Sequence, residues 1–124
     1  MKVKVSCLLP AKLKSEMRGA MHQASYGLRE KSRWLVEAIK AFLELNNYRD
    51  YIMYCCEIKG LDAKESFLIP SELKERIDEE YYIIRKDNPY IEGIKSAILR
   101  AAIIQRISRG DTIIKKSAGQ TTAN

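Results

Sequence analysis

Residues 4–14, KVSCLLPAKLK, recur sixty positions later as KESFLIPSELK at 64–74. Six of the eleven positions are identical: Lys4/Lys64, Ser6/Ser66, Leu8/Leu68, Pro10/Pro70, Leu13/Leu73 and Lys14/Lys74. Unrelated segments of ordinary composition would share about one. Two more pairs, Leu9/Ile69 and Met17/Ile77, keep apolar character. The same offset, carried onward, sets Met21 on Tyr81, Ala24 on Ile84, Trp34 on Ile94, Ile39 on Leu99, Lys40 on Arg100, Ala41 on Ala101 and Leu43 on Ile103. A duplication constrains the fold strongly. A copy of about 45 residues cannot bury enough apolar surface alone, so the two copies must pack on each other.

Each copy reads as strand, helix, break, helix. From Val3 to Leu9 the chain alternates, with Val3, Val5, Cys7 and Leu9 on one face and Lys4, Ser6 and Leu8 on the other. In the second copy Phe67 and Ile69 face inward, and Lys64, Ser66 and Leu68 outward. Glu65 falls on the inward face and predicts a shorter second strand. Pro10 and Pro70 stop the strands and suit a first helical turn. Leu13, Met17, Ala20, Met21 and Ala24 then form an amphipathic stripe, repeated by Leu73, Ile77, Tyr81 and Ile84. Breaks follow at Ser25-Tyr26-Gly27, with Gly27 as the helix-ending residue, and at Asp87-Asn88-Pro89, with Asn88 as N-cap and Pro89 as first residue of the next helix. The second helices are widely apolar: Trp34, Leu35, Ala38, Ile39, Phe42 and Leu43 in one copy, Ile91, Ile94, Ile98, Leu99, Ala102 and Ile103 in the other. Between the copies, Tyr48, Ile52, Cys55, Cys56 and Lys59 suit a further short helix ending at Gly60.

The chain therefore divides into a first repeat (1–45), a partly helical linker (46–62), a second repeat (63–107) and a polar tail (108–124), with the repeats packed as one globular unit. Lys and Arg outnumber Asp and Glu by 22 to 16, a balance that favours a polyanionic partner. No stretch is long and apolar enough for a membrane span, and the N-terminus lacks a signal-peptide core. Three cysteines without framework spacing fit free thiols in a reducing cytoplasm. Cys55-Cys56 lacks the spacing of a zinc pair and reads as packing within a helix. Catalysis is not expected, and neither a cofactor nor a metal is implied. His22 is the sole histidine, and its counterpart in the second copy is Tyr82. There is no phosphate loop or nucleophile motif. The cluster Asp78-Glu79-Glu80 reads as a solvated helix face.

A six-residue strand has no stable existence alone, but two copies can pair antiparallel as a ribbon over four helices. On the strand pattern, the strand-end prolines, the two helices and their spacing, residues 2–45 and 62–107 each resemble the ribbon-helix-helix (MetJ/Arc) family. Here the two units would lie in one polypeptide, similar to TraY-type proteins of conjugative elements. The resemblance implies a mainly α fold with a short two-stranded antiparallel β-ribbon, the two repeats forming an intramolecular pseudo-dimer. It implies double-stranded DNA as partner, with the ribbon in the major groove. Base contacts would come from Lys4, Ser6, Leu8, Lys64, Ser66 and Leu68. Lysine can donate to guanine O6 and N7, serine can donate or accept, and a leucine methyl can lie on a thymine methyl. The leucines depart from the family's usual polar residue and can alternatively pack inward at the ribbon's end. Phosphate contacts would come from Lys2, from Arg29, Lys31, Ser32 and Arg33 at the start of one second helix, and from Lys86, Asn88 and Tyr90 at the other.

The implied role is transcription regulation by a monomeric pseudo-dimer, with room for further self-association on DNA and a plasmid or other mobile-element setting. The rival readings are a relaxosome accessory at a transfer origin, an antitoxin-like or partition-like interaction module, and a helical interaction domain in which the strands are misread.

Overall fold

In a computed structural model, which describes residues 1–110, the chain is mainly helical, with five α-helices and one two-stranded antiparallel sheet. The order is β1 (Lys2–Leu9), α1 (Ala11–Gln23), a 3-10 turn (Leu28–Glu30), α2 (Lys31–Phe42), α3 (Tyr48–Cys56), β2 (Ala63–Pro70), α4 (Ser71–Asp87) and α5 (Ile94–Arg109). Ser108 and Arg109, placed in the polar tail by sequence, extend α5, and the rest of that tail from residue 111 lies outside the described residues.

β1 and β2 pair over their whole length, from Lys2 opposite Pro70 to Leu9 opposite Ala63. The register is centred on Ser6 opposite Ser66, two residues that the sixty-position offset also relates. Val5, Cys7, Leu9, Phe67 and Ile69 are buried beneath the ribbon, and Lys2, Lys4, Leu8, Lys64 and Leu68 are exposed above it. The expected shortening of the second strand does not occur: both strands have eight residues. Glu65 keeps its inward place, only 3% exposed, because Arg18 from α1 and Lys31 from α2 each reach it at 2.8 Å. A buried carboxylate with two cationic donors is tolerated where an unpaired one would not be.

The breaks differ from expectation in both copies. α1 is closed by Ser25, two residues past its end, which adopts the left-handed conformation at φ 67°, while Gly27 is extended and opens the 3-10 turn. The Tyr26 N–H donates to the Met21 carbonyl at 2.8 Å and the Ser25 N–H to the His22 carbonyl at 3.0 Å, a Schellman closure that satisfies two end carbonyls. Asn88 does not cap α5. It ends α4, donating from its side chain to the Ile84 carbonyl at 3.0 Å. α5 starts only after Gly93, which is left-handed at φ 73°.

The offset also changes. The Ser32 hydroxyl of α2 accepts the Leu68 N–H at 2.9 Å, and the Ser96 hydroxyl of α5 accepts the Leu8 N–H at 2.7 Å. Leu8 and Leu68 lie sixty positions apart, but the serines that hold them lie sixty-four apart. Counted from these two serines, the offset between α2 and α5 is sixty-four, which sets Trp34 on Ile98 instead of Ile94. The extra four residues are the added turn of α4, which has 17 residues against 13 in α1.

α5 is the hub of the core and packs against β1 and every other helix save the 3-10 turn. Nine of its residues are buried, two of them arginines. The Arg100 guanidinium donates to the Leu8 carbonyl at 2.7 Å and to the Cys55 carbonyl near the end of α3 at 2.6 Å. The Arg106 guanidinium donates to the Trp34 carbonyl at 2.6 Å and lies 4.8 Å from the Trp34 ring centroid. The acidic face expected at 78–80 divides. Glu79 is exposed, but Glu80 is 2% exposed and takes bonds from Tyr48 (2.8 Å), Arg49 (3.0 Å) and Arg76 (2.7 Å), tying α3 to α4.

These buried carboxylates make the fold acid-sensitive. Burial alone would raise the pKa of Glu65 and of Glu80. Hydrogen bonds from Lys31 and Arg18 on the first, and from Arg49, Tyr48 and Arg76 on the second, outweigh it and hold both below the usual 4.5. A carboxyl whose pKa is depressed by folding stabilises the fold above its unfolded pKa, and loses that contribution as pH falls through the folded value. The thermal midpoint is expected to be level from neutral pH to about 5 and to fall below about 4.5. Glu65→Gln and Glu80→Gln should each lower the neutral-pH midpoint and flatten the acid limb, measured by circular dichroism melts across pH.

Candidate nucleic-acid interface

The outward face of the ribbon presents three central rows of opposed side chains, with Lys2 opposite Pro70 as a fourth at one end. Lys4 stands opposite Leu68, Ser6 opposite Ser66, and Leu8 opposite Lys64. The six sequence-selected base-contact residues are thus brought onto one face. In the middle row the two serine hydroxyls lie 3.1 Å apart, a cross-strand hydrogen bond that still leaves lone pairs and one proton for a ligand. The leucines do not turn inward at the ribbon's ends: Leu8 is 47% and Leu68 51% exposed. Strands rise about 3.4 Å per residue and pair about 4.8 Å apart, so a two-stranded ribbon suits a groove about 12 Å wide.

The ribbon is held from below at matching points. Ser32 and Ser96, each in the first turn of its helix, fix the Leu68 and Leu8 amides. Arg100 fixes the Leu8 carbonyl, and the Lys14 ammonium donates to the Lys64 carbonyl at 3.1 Å. Ser32→Ala and Ser96→Ala are each expected to cost about 0.5–1.5 kcal/mol of stability, since each removes one bond to a ribbon amide. Urea unfolding of both variants should give losses of similar size.

The sequence-selected phosphate contacts are dispersed. Lys2, Arg29, Ser32 and Arg33 line one concavity beside the ribbon's Lys2/Pro70 end, shared with Lys40, Leu68 and two glutamates, Glu30 and Glu37. Arg29 is exposed there. Arg33 is also exposed, but is paired with Glu30 and stacked 4.5 Å from the Tyr26 ring centroid. Lys31 is turned behind the ribbon, onto Glu65 and 5.3 Å from the Phe67 ring centroid. Lys86, Asn88 and Tyr90 do not form the start of α5: the first two close α4, and Tyr90, 95% exposed, lies in the loop. Lys95 and Ser96 stand in that first turn instead, with the Lys95 ammonium 3.1 Å from Asp78. The repeated Lys31-Ser32 and Lys95-Ser96 doublets are the sequence signal that marks the matching serines.

His22 is exposed, in a shallow concavity with Arg18, Tyr26 and Lys31. Burial pushes the Cys7 and Cys55 thiols up to about 11, which keeps both protonated and unreactive at neutral pH. Among the described residues, no cluster of His, Cys, Asp and Glu is arranged to hold a metal ion, and no helix is long and apolar enough to cross a membrane.

Fold and face together define a mainly helical chain whose described residues carry an exposed two-stranded ribbon with a cationic, serine-centred outer surface. Comparison with protein-family models, with curated proteins and with solved structures gives no match.

Proposed function

We propose that this chain binds double-stranded DNA by laying the β1–β2 ribbon in the major groove, and that it is two ribbon-helix-helix units fused into an intramolecular pseudo-dimer. The observation that carries the reading is the ribbon's outer face: Lys4, Ser6 and Leu8 repeated as Lys64, Ser66 and Leu68 about a central Ser6/Ser66 pair. The matched serine anchors under Leu8 and Leu68 support the two-unit description, because one geometry recurs on both halves. The excess of Lys and Arg supports a polyanionic partner. Regulation of transcription in the cytoplasm is the role that best suits such a reading face.

Fluorescence anisotropy of labelled duplexes from the chain's own locus, titrated at two salt concentrations, tests the reading. Binding is expected at low salt, weakening about a hundredfold for a fourfold rise in salt if some four phosphates are neutralised. Absence of binding at low salt would remove DNA as the partner.

A further inference from the structure

Leu8 and Leu68 are the large apolar side chains that the ribbon exposes, at 47% and 51%. Each stands directly opposite a lysine, Leu8 opposite Lys64 and Leu68 opposite Lys4. We infer that each lysine–leucine pair is one recognition unit, and that the preferred ligand is duplex DNA in which a guanine adjoins a pyrimidine bearing a C5-methyl group, once in each half of a two-fold core. The inference rests on the ribbon reading above and gives it a ligand.

Apolar side chains on the open face of an isolated ribbon invite self-association, and a polar residue there would avoid it. A leucine cannot donate or accept a hydrogen bond. In the major groove it has one kind of apolar partner, the C5-methyl of thymine or of 5-methylcytosine, while lysine has the O6 and N7 of guanine. Directly opposed residues carry Cβ atoms about 5 Å apart. Successive bases on a strand are about 3.4 Å apart, so a lysine and the leucine beside it reach neighbouring base pairs, not the same one.

The arrangement also sets the spacing. The Lys4/Leu68 row and the Leu8/Lys64 row lie four residues apart along each strand. That is about 14 Å, or roughly four base pairs. The Ser6/Ser66 pair fills the middle and is the same on both strands, so within the three central rows the two halves carry the same residues. Lys2, opposite Pro70 beyond these rows, is a charge that one end of the face carries alone. The core is therefore expected to be two-fold symmetric despite a chain whose halves have diverged.

The test presents the full chain, at low salt, with random-sequence duplex pools of one design. One pool contains thymine, a second deoxyuridine in its place, and a third 5-methylcytosine in place of cytosine. The thymine pool should yield a two-fold core with guanine beside thymine in each half. Replacing those thymines by deoxyuridine in the best duplex should weaken binding roughly fourfold per half-site, about fifteenfold in all, the loss of one buried methyl each. Leu8→Ala and Leu68→Ala should each abolish the penalty in one half while melting within a few degrees of the parent. Enrichment of 5-methylcytosine over thymine in the third pool assigns the site to modified DNA, and retention of thymine there assigns it to unmodified DNA. Equal binding of thymine and deoxyuridine duplexes, an asymmetric core, or full discrimination by both leucine variants would overturn the inference while leaving DNA binding intact. Retention of no duplex in any pool would overturn the DNA reading and this inference with it.

Discussion

Replacing Lys4 and Lys64 together by alanine is expected to lower affinity for a specific duplex by about a hundredfold or more, with the fold unchanged. A well-placed donor to a guanine edge is worth about 1–3 kcal/mol, and the two lysines sit in different rows, far enough apart for their losses to add. Neither side chain supports the structure: both are exposed on the outer face, where β1 and β2 are held by their own backbone bonds and by Ser32, Ser96 and Arg100 from below. The thermal midpoint should move by no more than a few degrees. Each single variant should lose about half the effect on a logarithmic scale, and binding to unrelated duplexes should fall much less. Anisotropy titrations against specific and unrelated duplexes separate the two. An equal loss on both would make the lysines phosphate contacts rather than base contacts.

Arg100→Met is expected to have the largest effect on stability, about 3–5 kcal/mol in urea unfolding. The side chain is 2% exposed and its guanidinium serves two carbonyls, Leu8 on the ribbon and Cys55 near the end of α3. Hydrogen bonds to a charged donor contribute about 1.5–3 kcal/mol each, and a buried acceptor left unpaired costs about 1–3 kcal/mol. A cation near the last carbonyls of α3 also sits favourably against that helix's dipole. Methionine retains much of the apolar stem, so the loss isolates the polar head. Since one of the two carbonyls belongs to β1, the variant should also loosen the Leu8 end of the ribbon, seen as faster amide exchange at Leu8 than at Leu68.

The ribbon was legible because its information is local and given twice. Alternation over six residues and the strand-end prolines fix the faces of β1, and the second copy repeats them sixty positions on. The expected weakness at Glu65 was wrong because its partners, Arg18 and Lys31, come from 47 and 34 residues away and belong to two different helices. The same holds for Arg100, whose carbonyl partners lie 92 and 45 residues distant. Glu80 looked like its neighbours Asp78 and Glu79, and nothing local shows that the side chains of Tyr48 and Arg49 reach it from α3, 32 and 31 residues away. The misplaced start of α5 has a different origin. A fixed offset of sixty hid the additional turn in α4, although the Lys-Ser doublets at 31–32 and 95–96 carried the corrected register in the sequence itself. That error spread the expected phosphate contacts of the second half onto Lys86, Asn88 and Tyr90, away from the turn that touches the ribbon.

Methylation interference tests the central claim most directly. Dimethyl sulfate marks guanine at N7, in the major groove, and adenine at N3, in the minor groove. A duplex bound by the full chain is partially methylated, and bound and free fractions are cleaved and compared. With the ribbon in the major groove, N7-methylated guanines at the core should be excluded from the bound fraction, and the exclusion should weaken in one half for Lys4→Ala and in the other for Lys64→Ala. Interference confined to adenine N3, or guanine interference that both variants leave unchanged, would contradict the account.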